Sequence, residues 1–247
     1  AVPLLLLALL GQFPFGLDLT LVDMGAICAL KNAVAAGTWI SPHVGMGTPL
    51  AAWPEAQLYY PLRWLALVLP IDAGTALGPI CHLSLAAAGT AWLAHSYGLQ
   101  RHSSVCAAVA FACSGIVLNL VTHSVYLLPA AWLPWVWAGA RHGHLTGRGG
   151  PHLVAAAAMA LCLLGGEPQA FGIGIALVGW EAFWASRRPT SGKTMNRWWL
   201  ASLPVAALLI GLLPWSQILS EAALSGRMGD LDTAEALFEE IYRARRG

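Results

Sequence analysis

Residues 74–97 read GTALGPICHLSLAAAGTAWLAHSY. No Asp, Glu, Lys or Arg interrupts them. About 20 largely apolar residues are enough for a helix to cross a bilayer, so this stretch reads as a membrane span. The whole chain shares its character. Hydrophobic residues make up 57% and charged residues 10%, with a mean hydropathy of +0.64. Soluble domains carry roughly 25% charged residues, which excludes an ordinary soluble fold. The net charge of +1 sets up no field for nucleic acid. The five cysteines form no C-x-x-C pair and mostly sit in apolar runs, so no disulfide framework is expected.

Working outward, the expected fold is all-α: a polytopic transmembrane helical bundle of about seven spans, at 1–15, 74–97, 103–121, 125–140, 152–164, 169–185 and 198–219. Residues 1–219 form this transmembrane domain. Residues 220–247 read as an amphipathic outer-face tail or the start of a further region, with acids early and bases late as a helix dipole prefers. The chain opens on Ala1 inside an apolar run, which reads as a fragment or a chain trimmed at its start. Residues 58–70 are apolar but too short to span, and read as an interfacial or re-entrant segment in the first outer loop.

Loop charges set the orientation. Arg101 follows the second span; Arg141 and Arg148 follow the fourth; Arg187, Arg188, Lys193 and Arg197 follow the sixth. The connections at 122–124 and 165–168 have no Lys or Arg. By the positive-inside rule the basic loops are cytoplasmic. Asp18, Asp23, His43, Glu55, His123 and Glu167 then share the outer face. That placement favours a lipid-linked or exported substrate.

Residues 45–62, Gly-Met-Gly-Thr-Pro-Leu-Ala-Ala-Trp-Pro-Glu-Ala-Gln-Leu-Tyr-Tyr-Pro-Leu, are too broken for a span and too apolar for a free linker. Irregular backbone at a membrane needs protein partners, so this segment is the first place to look for a site. Trp53, Tyr59 and Tyr60 read as interface anchors, and Tyr59 and Tyr60 also as substrate contacts. Glu55, flanked by aromatics, is either a desolvated acid or a solvated one at the headgroups. Asp18 and Asp23 lie five residues apart, on neighbouring faces of a helix. Each is a candidate catalytic acid or a helix-start charge. Glu167, in Gly165-Gly-Glu-Pro-Gln169, is either a solvated acid in a tight turn or, with Gln169, presented toward the first loop. His82 lies inside a span, where ionisable groups are costly and mark function or a bond to a neighbouring helix. The pair His142 and His144 lacks an evident third metal ligand, and Gly172 and Gly174 read as helix packing positions.

The order of motifs adds a resemblance. Asp18 after the first span is followed by Gly37, Gly-Met-Gly-Thr-Pro-Leu at 45–50, and Tyr-Tyr-Pro at 59–61. Then come His82, Ser114-Gly115, His123, Trp132-Leu-Pro134, the 165–169 turn and Leu213-Pro214. This order resembles the bacterial YfhO-like membrane proteins, relatives of the GT-C glycosyltransferase superfamily. The resemblance implies transfer of a sugar from a polyprenyl-phosphate carrier to a cell-envelope acceptor, on the outer (periplasmic or extracellular) face of a bacterial inner membrane. It implies Asp18 as general base, with Asp23 second, and His82, His123, Glu167 and Gln169 lining the same outer cavity. No cofactor is certain; a divalent metal beside Asp18 has no clear second ligand in the sequence. The expected partners are the lipid-linked sugar, membrane lipids and other membrane subunits, and no nucleic acid. The competing expectation is a non-catalytic structural subunit of a larger membrane complex, which the twelve tryptophans also fit.

Overall fold

Pro70 and Pro79 bracket the first turns of the longest helix. Proline lacks an N–H, so it suits a helix boundary and is costly inside. In the computed structural model, which describes residues 24–37, 56–187, 203–208 and 216, this helix runs Ile71–Ser96 with Pro70 as its N-cap and Pro79 inside. The described residues are helical with no strand. In order they are α1 (Gly25–Ala36), a 3-10 turn (Pro61–Trp64), α2 (Leu65–Val68), α3 (Ile71–Ser96), α4 (Arg101–Ala112), α5 (Gly115–Asn119), α6 (Ser124–Thr146), α7 (Gly149–Leu164) and α8 (Pro168–Arg187).

Among the described residues one helix, α3, is long and apolar enough to cross a membrane, with a mean hydropathy of 1.3. The expected span at 103–121 is instead a broken pair. Arg101–Ala112 and Gly115–Thr122 meet at 42°. The break falls at Ser114, whose hydroxyl accepts the Val117 N–H and starts a new helix. The expected spans at 152–164 and 169–185 fall within α7 and α8, and that at 125–140 within the longer α6. The first span and all of the seventh except residues 203–208 and 216 lie outside the described residues, as does the tail from 220 onward.

Contacts fix the direction of each helix. Along α3 and α6 the partners rise together: Leu85 with Trp135, Ser96 with Arg141. These two helices are parallel. Along α6 and α7 they run in opposition: Pro129 with Cys162, Gly143 with His152. Along α6 and α8, Val136 meets Gly174 and Arg141 meets Glu181, so α8 is parallel to α6. The chain therefore alternates, with the bent α4–α5 pair as one return. Arg101, Arg148 and Arg187 all gather at the end where α3, α6 and α8 finish, the basic end. The turn containing Glu167 lies at the opposite end.

Glycines set how closely α6 packs. A Cβ on Gly139 would stand 2.6 Å from the Pro151 carbonyl oxygen and 2.9 Å from the Ala155 nitrogen. One on Gly143 would stand 2.6 Å from the His152 ring. These two positions, four apart, form one strip on which α7 lies, the small-residue packing typical of membrane helices. A Cβ on Gly174 would stand 3.5 Å from the Met159 side chain, as the packing reading expects, whereas one on Gly172 would meet nothing within 4 Å. The core at this seam joins Val136, Ala140, Ala155, Met159, Phe171 and Val178.

Gly139→Ala therefore forces α6 from the α7 backbone and lowers stability by about 1–3 kcal/mol, the range for overpacking. Gly172→Ala leaves it unchanged or raised. Thermal unfolding in detergent compares the two.

Candidate functional site

Ala56, Gln57, Leu58 and Tyr60 are buried, whereas Tyr59 between them is exposed. Ala56 and Leu58 pack on Ala29, Leu30 and Ala33 of α1. Lys31 of α1 donates its ammonium to the Leu69 carbonyl at the end of α2. Gly37, at φ 63°, closes α1 in the left-handed conformation that glycine adopts without strain. The segment enters the bundle between these contacts. Gln57, at φ 51°, donates its amide N–H to the Gly165 carbonyl at 2.9 Å. The first outer segment thus meets the Gly165–Gln169 turn.

Tyr60 goes deepest. It is 0% exposed, and its hydroxyl lies 2.5 Å from His82 Nε2. The Trp132 indole N–H donates to the same oxygen at 2.7 Å. His82 Nδ1 lies 2.6 Å from the Gly78 carbonyl, which accepts only, so Nδ1 carries a hydrogen. In the neutral ring Nε2 then accepts, and the Tyr60 hydroxyl donates to it. The proton order runs from Trp132 through Tyr60 to His82 to Gly78. Desolvation raises the Tyr60 phenol well above its ordinary range, the Trp132 hydrogen bond opposing in part. Tyr60 is therefore a neutral donor at physiological pH. His82 stands eleven residues from the start of α3, about 16 Å along its axis at 1.5 Å per residue.

Tyr60 and His82 share the wall of a partly open pocket with about 480 Å³ of empty space, its mouth included. Leu62, Leu65, Leu69, Leu77, Pro79 and Leu128 supply apolar lining; Arg63, Cys81 and Ser124 supply polar atoms. Among the described residues that line it, Arg63 is the fixed cation and none is a carboxylate. An apolar wall with one guanidinium suits an amphiphile carrying a negative charge.

The other expected site residues that are described do not line this pocket. Tyr59 is exposed. His123 is half-buried at the head of α6, edge-on to Tyr126 at 6.3 Å. Glu167 accepts the Gln169 backbone N–H at 3.1 Å, which caps α8, and Gln169 itself is exposed. Asp18, Asp23 and Glu55 lie outside the described residues. No group of three or more His, Cys, Asp or Glu is placed to hold a metal among the described residues. A divalent ion beside Asp18 would lie outside them.

Sequence reasoning missed three partners. Arg63 is the single charge in the apolar stretch between Pro61 and Pro70, and that isolation is the signal that finds it. Gln57 lacked any signal. The third is a pair at the basic end. Arg141 is not in a loop but inside α6, buried, because α6 continues to Thr146. Its guanidinium lies 3.5 Å from Glu181 and stacks on Tyr97, 3.5 Å from the ring centroid. The Trp137 indole N–H donates to Glu181 at 2.7 Å, and the Tyr97 hydroxyl donates to the same carboxylate at 3.3 Å. Glu181 was the acid within the expected span at 169–185, and an ionisable residue there is the signal that finds it.

No protein family, curated protein or solved structure matches the chain.

Tyr60→Phe leaves the Trp132 N–H and His82 Nε2 without their shared partner, at a cost of about 1–3 kcal/mol. Glu181→Ala strands the buried Arg141 charge and costs more, about 3–5 kcal/mol. Denaturation midpoints of the two variants, read side by side, check both the sizes and the order.

Proposed function

We propose that this chain is a multi-pass protein of a bacterial inner membrane that acts as a GT-C-type glycosyltransferase. It moves a sugar from a polyprenyl-phosphate carrier to a cell-envelope acceptor. The described helices α3, α4–α5, α6, α7 and α8 are then five of about seven spans. The basic end faces the cytoplasm and the pocket opens toward the outer side. The observation that carries this reading is the pocket's chemistry: a mostly apolar wall with Arg63 and the Tyr60–His82 pair, lined by the first halves of α3 and α6, away from the arginine-rich connections. An isoprenoid chain and its phosphate need that combination. Residues 56–70 act as a re-entrant segment that irregular backbone can adopt because it is covered by protein.

Asp18 is the general base and Asp23 the second choice. They precede α1, whose Lys31 bonds the Leu69 carbonyl beside the pocket. The base takes the proton of the acceptor hydroxyl as its oxygen attacks the anomeric carbon. The bond from that carbon to the phosphate oxygen breaks, and the lipid phosphate leaves. His123, Glu167 and Gln169 contribute from the same end of the bundle, outside the lining of the pocket.

In membranes carrying the full-length protein and a labelled polyprenyl-phosphate sugar, Asp18→Asn lowers transfer by about 100-fold or more. Unchanged incorporation removes the enzymatic reading. Recovery of the chain with membrane subunits in fixed stoichiometry, and no transfer, replaces it with the structural-subunit role. Orientation is tested separately. On intact cells a membrane-impermeant maleimide labels E167C and not R148C in a background lacking other reactive cysteines; the reverse pattern inverts the topology.

A further inference from the structure

Helix α8 has two unlike faces. Phe171, Val178 and Glu181 turn inward and are buried, and Glu181 is engaged there with Arg141. Ile173, Ala176, Trp180, Phe183, Trp184 and Arg187 are exposed. Their spacing of three and four places them on one strip of the helix. The strip is aromatic toward the basic end. Trp180 and Trp184 meet with ring centroids 5.7 Å apart, and so do Phe183 and Trp184. Arg187 lies over the Phe183 ring, 4.1 Å from its centroid. The described part of the seventh segment does not cover this strip. Leu203 and Ala207 join the core with Met159 and Val178, while Trp180, Phe183 and Trp184 keep 38–51% of their surface open.

The dimensions and chemistry of the strip select its occupant. From Ile173 to Trp184 is eleven residues, about 16 Å along the axis. One leaflet of a hydrocarbon core about 30 Å thick has the same depth. Tryptophan sits where hydrocarbon gives way to headgroups. Arg187 stands one turn beyond Trp184, at the depth of a lipid phosphate. The ring face of Phe183 attracts the guanidinium but offers no lone pair, so the contact fixes the cation and leaves its N–H fork to an oxyanion. A guanidinium pairs with phosphate bidentately. The sequence goes on with Arg188, Lys193 and Arg197, so the charge at this end favours a lipid of net negative charge over a zwitterionic one.

We propose that the outer strip of α8 is a binding site for an anionic phospholipid of the cytoplasmic leaflet. One acyl chain lies along Ile173, Ala176 and Trp180, and the phosphate meets Arg187. This rests on the reading of the chain as a multi-pass membrane protein with its basic end inside. It is independent of any sugar transfer and of the pocket at Tyr60.

The test places the full chain in phosphatidylcholine nanodiscs that hold a small fraction of a lipid with a diazirine on its acyl chain, either phosphatidylglycerol or phosphatidylcholine. Mass spectrometry maps the cross-links. The glycerol lipid labels residues 180–187 about fivefold more than the choline lipid, the factor one cation near the surface supplies. Unlabelled phosphatidylglycerol competes the label away. Around Ile116, exposed on α5 toward the other end, the two lipids label equally. Arg187→Gln, an exposed change that leaves the core untouched, lowers the preference about fivefold at residues 180–187, and Phe183→Leu lowers it by removing the platform. Equal labelling of the wild type by the two lipids overturns the proposal, as does a preference unchanged in Arg187→Gln. Cross-links from this strip to a second copy or another protein, with no lipid label, overturn it in favour of a protein interface. An unchanged preference in Phe183→Leu overturns the part given to the ring. The readout involves no sugar, so loss of the transferase reading and loss of this site are told apart.

Discussion

The Tyr60 hydroxyl is the point on which the pocket depends. It accepts from Trp132 of α6 and donates to His82 of α3, and so joins an irregular segment to the two parallel helices that flank it. A phenol is buried completely only when its oxygen is satisfied. Tyr60 meets that condition inside the bundle, which holds residues 56–64 down against helices that would otherwise close over the space. The apolar lining of the pocket follows from that descent, because Leu62 belongs to the same segment and Leu65 and Leu69 continue from it through α2.

The helices tolerate this insertion because they are held at other points. Near mid-length Trp135 crosses the gap and donates to the Leu85 carbonyl, over Gly89, where a Cβ would stand 2.6 Å from its ring. At the basic end Arg141, Glu181, Tyr97 and Trp137 tie α3, α6 and α8 together. The buried ion pair satisfies its remaining hydrogen-bonding capacity with Trp137, Tyr97 and the Ser96 carbonyl, as a desolvated charge pair must. One end of the bundle is thus locked by charge and the other left open around a pocket.

The helical class was legible from composition, and α3 from its uncharged run. The alternation of basic and neutral connections matched the two ends of the bundle, since charge is read at helix ends where tertiary contacts interfere least. Helix ends within apolar runs were less legible. Arg141 resembled a loop charge because nothing local marks the continuation of α6 beyond Ala140; its partner Glu181 lies 40 residues away. The break at Ser114 had a local cause, an N-cap, yet the surrounding apolar run hid it. His82 was noticed because an imidazole in a span demands a reason, and Tyr60 because it stood in a broken aromatic segment. Their bond was not legible, since nothing in the sequence says how far residues 56–64 descend. Asp18 and Asp23 rest on motif order alone.

The descent of Tyr60 to His82 is tested most directly by a double-mutant cycle, Tyr60→Phe with His82→Gln, read as unfolding free energy of the full chain in detergent. Two residues that share a buried hydrogen bond couple by about 0.5–3 kcal/mol, whereas distant ones add within about 0.5. The account predicts coupling of about 1 kcal/mol or more. Strict additivity of the two single changes would contradict it.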